Sequence, residues 1–198
     1  LLSGGLFIRL PWGDPAWRLN LMSAVLAAGA AGLTALGVGT LLRPRLGQAE
    51  TTTLDRGTDR PVACNLPAAI GAGLTLGLAP LFWSQALIAE VYALAAFFTA
   101  LVTVLALRRE QVWILSLPWG VGLGAHPTLL FLAPLVAWGA WGDNDGRSRR
   151  LVRAGFLALL GWGAMYGPVL LARGGVRSPW EDVRTFAGWW RLVSGQLY

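Results

Sequence analysis

Glu90 is the only acidic residue in the apolar run from Leu66 to Leu107, and its carboxylate is the most direct candidate for chemistry in the chain. An ionisable side chain inside a membrane-spanning helix costs at least ~2.5 kcal/mol at the bilayer centre, less near the helix end, so it marks either a functional site or a hydrogen-bonded structural carboxylate. At helical spacing Glu90, Ala93 and Phe97 share one face, and the small Ala93 leaves room beside the carboxylate for a ligand or a partner side chain. Trp83, Gln85 and Tyr92 flank it and supply the aromatic and polar lining expected of a substrate cavity. His126 is the only histidine, in the turn sequence Gly124-Ala125-His126-Pro127. An imidazole there either bonds to backbone or contacts a phosphate or hydroxyl. Arg177, Arg184 and Arg191 lie in a tryptophan-rich tail. Their guanidinium forks suit phosphate oxygens, and their charge equally suits lipid headgroups.

These residues need elements to hold them, and the composition says of what kind. The 198 residues carry a net charge of +6, with 55% hydrophobic and only 13% charged residues, 26 Gly, 11 Trp and one Cys. A water-soluble domain carries roughly 25% charged residues. Here the charges are gathered into clusters separated by apolar stretches about as long as a bilayer is thick, the pattern of a polytopic membrane protein. All the basic residues are arginines, and they sit between apolar spans rather than along one face, which excludes a nucleic-acid partner. The lone Cys64 allows no intramolecular disulfide and no cysteine-based zinc site; no metal set or cofactor motif is present.

The spacing predicts six membrane spans, at about 19–42, 66–83, 86–107, 112–125, 128–141 and 151–172, followed by an outer interfacial helix at about 179–195. Asp14-Pro15 introduces the first as an N-cap followed by proline at the first helical position. The run from Leu66 to Leu107 is about twice what one crossing needs, so two helices share it, with the break expected at Pro80 to Gln85. Arginines Arg43/Arg45, Arg108/Arg109 and Arg147/Arg149/Arg150/Arg153 fall on one side of such a map, the cytoplasmic one. Two spans must then separate Arg109 from Arg147. Each is about 14 residues or roughly 21 Å, so their turn at Gly124 to Pro127 lies below the lipid surface. The map puts Glu90, His126 and the tail arginines on the outer face.

Gly73/Gly77, Gly120/Gly124 and Gly163/Gly167 are pairs of small residues four apart, which predicts close helix contacts. Ser178-Pro179-Trp180-Glu181 is a capping box, which assigns Glu181 to a helix cap rather than to catalysis. The helix it opens presents Trp180, Val183, Phe186/Ala187, Trp190 and Val193 on its apolar face.

Three blocks then carry a resemblance: Gly13-Asp14-Pro15-Ala16-Trp17-Arg18 through Ala24, Phe82-Trp83-Ser84-Gln85 through Glu90-Val91-Tyr92 to Phe98, and Gly122-Leu123-Gly124-Ala125-His126-Pro127-Thr128. Together the chain resembles the bacterial membrane family catalogued as domain of unknown function 2723, which is similar to protein O-mannosyltransferases. The resemblance implies the all-α, type C glycosyltransferase fold, a polytopic transmembrane bundle. It implies transfer of a sugar from a polyprenyl-phosphate-linked donor to a protein or glycan hydroxyl on the outer face of the bacterial inner membrane. The family's Gly-Asp-Ser-Gly-Glu and His-Pro-Pro-Gly motifs of the first outer loop are absent, and Leu1 to Pro11 resembles the end of the helix after that loop. The chain is therefore expected to be a fragment lacking the first helix and catalytic loop, and inactive alone. In the parent, Glu90 and His126 are the expected catalytic residues, with Arg177, Arg184 and Arg191 on the donor phosphate, and with membrane lipids, donor and acceptor as partners. A transporter or lipid flippase also shows an intramembrane glutamate and a broken helix hairpin, and a non-catalytic membrane subunit could pair Glu90 with an arginine.

Overall fold

A computed structural model describes residues 7–42, 66–88, 91–108, 111–140, 146–171 and 185–194. Among them the regular structure is entirely helical, with no strand. The helices are α1 (Pro15–Leu41), α2 (Leu66–Leu78), α3 (Pro80–Ala86), α4 (Val91–Leu107), α5 (Val112–Ala125), a 3-10 helix (Pro127–Leu132), α6 (Ala133–Ala140), α7 (Arg147–Leu171) and α8 (Phe186–Ser194).

Local chemistry explains where α1 starts. The Asp14 carboxylate accepts from the backbone N–H of Trp17 at 2.8 Å, and Pro15 sits where a missing N–H costs nothing. Gly13 reaches φ +68, a conformation in which a side chain would also meet the Trp17 ring. Arg18 ties the approach to this cap by donating to the carbonyls of Trp12 and Gly13, each at 2.8 Å, and of Ile8.

The break expected at Pro80 to Gln85 is elsewhere. Pro80 begins α3 instead of ending a helix, and Ala79 before it is extended (φ −61, ψ 126), the conformation a following proline favours. The chain therefore bends by 63° between α2 and α3, and leaves helix again at Leu87 and Ile88 before α4. The end of α3 packs where α1 meets α4: Ala27, Ala86 and Ala93 are buried in one cluster, with Leu26 and Phe82 against it.

Glycines set the packing. A Cβ on Gly73 would lie 2.9 Å from the Ala31 carbonyl oxygen and 3.0 Å from Ala35 Cβ, and Gly39 faces Ala69, so α1 and α2 run antiparallel in close contact. Gly29 meets Phe97 while Gly37 meets Val104, so α1 and α4 are parallel. Gly120 lies on the backbone of Ala158 and Gly124 on Met165, which makes α5 and α7 parallel and leaves no room for a side chain between them. The Gly163/Gly167 pair meets no neighbouring helix among the described residues, and Gly161 makes the α7 contact, against Leu117 and Val121. Val102, Ala106, Leu115 and Val136 form a buried core that joins α4, α5 and α6.

These registers make α1, α4 and α6 descend while α2, α5 and α7 ascend. The starts of α1 and α4 and the end of α5 thus share one end of the bundle, and Arg108 and the arginines opening α7 share the other. By length and composition α1 is long and apolar enough to cross a membrane, and α2 with α3 passes as one bent unit. α4 and α5 are apolar but have 17 and 14 residues.

Candidate functional site

The site is built where α5 ends. His126 N–H closes the last turn on the Gly122 carbonyl at 2.9 Å, and Pro127 then holds His126 extended at φ −154, ψ 129. From there the chain folds into the 3-10 helix. The ring Nδ1 of His126 accepts from the backbone N–H of Thr128 at 3.3 Å and lies 2.8 Å from its hydroxyl. Leu129 N–H donates back to the His126 carbonyl at 3.2 Å. The turn is pinned to α5 by the Trp119 indole, which donates to the Leu129 carbonyl at 2.8 Å. Leu129 is 1% exposed, and Gly122 is required beneath it, because a Cβ there would collide with Leu129 and lie 2.9 Å from Phe98.

Tyr92, in the first turn of α4, brings its ring centroid within 6.0 Å of the His126 ring, tilted by 41°. It also lines a cavity of about 360 Å³ with Gln85, Phe82, Ala27, Ala93 and Ala96. The Gln85 side-chain oxygen is buried and has no hydrogen-bond partner among the described residues. Trp83 faces elsewhere, onto a cavity of about 610 Å³ between α1 and α2 that is lined by small residues such as Ala28, Ala31 and Gly32. The three residues expected around one cavity are therefore divided, Gln85 and Tyr92 on one and Trp83 on another. Successive helical residues point about 100° apart, so Trp83 and Gln85 leave the short α3 on opposite sides.

Glu90, Arg177 and Arg184 lie outside the described residues. Arg191 is on α8, exposed. Of the helix expected at about 179–195, residues 179–184, with the capping box, lie outside the described residues; the described part is α8, where the Thr185 hydroxyl accepts from Gly188 N–H at 3.1 Å. Phe186 and Trp190, on the face expected in the outer interface, stand clear of the bundle, and Trp189 docks on α7. Trp189, 8% exposed, sits edge-on to Trp162 of α7 at 6.1 Å, whereas Phe186 and Trp190 are 72% and 49% exposed. Trp162 in turn packs on Tyr166 at 5.1 Å, near the point where Met165 and Tyr166 meet Gly124. An aromatic chain therefore runs from α8 along α7 to the end of α5 that carries His126. Thr128, Trp162, Tyr166 and Trp189 were not singled out in the sequence. A hydroxyl two residues after a histidine and next to proline was the one available signal, for Thr128.

Among the described residues the fold is all-α, with one helix long and apolar enough to cross a membrane and with His126, Tyr92 and Thr128 gathered at one bundle end. The chain belongs to the family described as Protein O-mannosyl-transferase TMEM260 N-terminal domain, which matches residues 1–145. That family is one of glycosyltransferases, and together with the apolar α1 it indicates membrane association. No curated protein and no solved structure matches the chain.

Proposed function

We propose that this chain is part of a membrane glycosyltransferase that moves a sugar, mannose by its family, from a polyprenyl-phosphate donor to a protein or glycan hydroxyl on the outer face of a bacterial plasma membrane. The observation that carries the reading is the family match over residues 1–145. The geometry supports it by grouping Tyr92, His126 and Thr128 at the bundle end opposite Arg108 and the arginines of α7, the end that the positive-inside rule turns outward in a six-span arrangement.

The reaction this reading requires is an inverting displacement. A carboxylate removes the proton of the acceptor hydroxyl as its oxygen attacks the anomeric carbon, and the bond from that carbon to the lipid phosphate breaks with its electron pair going to the phosphate. Charge then grows on phosphate oxygen, where hydrogen-bond donors act best. His126, Arg177, Arg184 and Arg191 are the donors assigned to it, and Glu90 is assigned to contact substrate.

The test is transfer of labelled mannose from polyprenyl-phosphate-mannose to acceptor by the full-length protein in proteoliposomes. Glu90→Gln should preserve folding and lower transfer by more than about tenfold, equivalent to ~1.4 kcal/mol of barrier. A second reading, a lipid flippase or transporter, draws on the 63° break between α2 and α3. Movement of the lipid donor across the bilayer with no sugar transferred would favour it.

A further inference from the structure

We propose that Thr128 is the positioning residue for His126, holding the ring so that Nε2–H is the donor it offers to a phosphate oxygen or a sugar hydroxyl. What that donor meets rests on the glycosyltransferase reading; the state of the ring rests on geometry alone. Two groups of Thr128 converge on one nitrogen, the hydroxyl at 2.8 Å and the backbone N–H at 3.3 Å. An amide N–H can only donate, so Nδ1 carries a lone pair, and the hydroxyl completes the arrangement by donating to the same nitrogen. In the neutral ring the hydrogen then resides on Nε2. A ring flipped about Cβ–Cγ would put carbon where Nδ1 stands and lose both bonds, so Thr128 sets orientation as well as tautomer.

The surroundings hold Thr128 still. Pro127 restricts the backbone before it, and the next residue, Leu129, is buried against Gly122 with its carbonyl bonded to the Trp119 indole. Tyr92 flanks the imidazole from α4. Among the described residues no hydrogen bond to Nε2 occurs, so that nitrogen is the ring's available donor. A neutral donor of fixed direction suits an oxygen on which negative charge develops during transfer.

The chain holds a single histidine, which makes the ring directly observable. Nitrogen-15 spectra of the chain with labelled histidine, in lipid nanodiscs at alkaline pH where an imidazole is neutral, should show Nε2 protonated and Nδ1 displaced by accepted hydrogen bonds. Thr128→Ser should retain that spectrum. Thr128→Val should move Nδ1 toward the position of an unbonded ring nitrogen. In the full-length protein, transfer by Thr128→Ser should stay within about twofold of the parent, while Thr128→Val should lose about tenfold in kcat/KM for the donor. A hydrogen on Nδ1 in the parent, or an unmoved Nδ1 signal in Thr128→Val, would overturn the positioning role. The expected spectra with equal transfer by parent and Thr128→Val would overturn its link to catalysis and leave the enzyme reading intact. Absence of transfer by the parent itself, with the spectra as expected, would overturn the enzyme reading and leave the ring assignment standing.

Discussion

The Tyr92 ring lies 6.0 Å from the His126 ring, joining the first turn of α4 to the residue that ends α5. Tilted aromatic pairs of this kind contribute about 0.5–1.5 kcal/mol beyond their buried area. Tyr92→Phe keeps the ring and should leave the melting temperature in detergent unchanged. Tyr92→Ala should lower stability by about 1 kcal/mol and broaden the His126 ring signals. An unaltered His126 spectrum in Tyr92→Ala would show that the two rings do not support each other.

Gly120 should be the least replaceable position in the bundle. Its would-be Cβ lies 2.7 Å from Ala158 Cα and closer still to the Ala158 carbonyl oxygen, and backbone cannot step aside as a side chain can. Gly120→Ala should cost about 1–3 kcal/mol by overpacking and reduce the yield of monodisperse protein. Gly155→Ala is the control, since no neighbouring helix among the described residues comes within 4 Å there. Equal yields from both variants would contradict the α5–α7 contact.

Cysteine accessibility checks the proposed orientation. In a Cys64→Ser background, cysteines replacing Gln48, Glu110 or Ser148 should be protected from an impermeant reagent added outside intact cells, and those replacing Trp12, Trp83 or Phe186 should react. Outside labelling at position 148 would remove the outer assignment of His126.

The tail arginines separate phosphate binding from anchoring. Only a phosphate clamp needs a bidentate guanidinium, whereas headgroup attraction needs charge and reach that lysine also supplies. One of Arg177→Lys, Arg184→Lys and Arg191→Lys should raise the KM for the lipid-linked donor severalfold, with the other two near the parent. If all three bind donor normally, the segment is an anchor, a role that suits the exposed Phe186 and Trp190 of α8.

The sequence by itself determined what is local. An apolar composition with clustered arginines demands helices; the 112–125 segment expected from the arginine clusters on either side coincides with α5, and Asp14-Pro15 starts α1 because capping depends on neighbours within a turn. His126 as the end of α5 was legible for the same reason: proline follows it. Helix crossings were not. Which glycines meet a neighbour, Gly120 and Gly161 but not Gly163 or Gly167, depends on the rotation of α7 about its axis. The same holds for the parting of Trp83 from Gln85 after the bend at Ala79, and for Trp189 rather than Trp190 docking on Trp162. Tyr92 reaches His126 only because α4 and α5 pack antiparallel with Phe98 against Gly122. Such choices follow from how closely whole helix surfaces can approach, a property of paired surfaces that no single stretch of sequence contains.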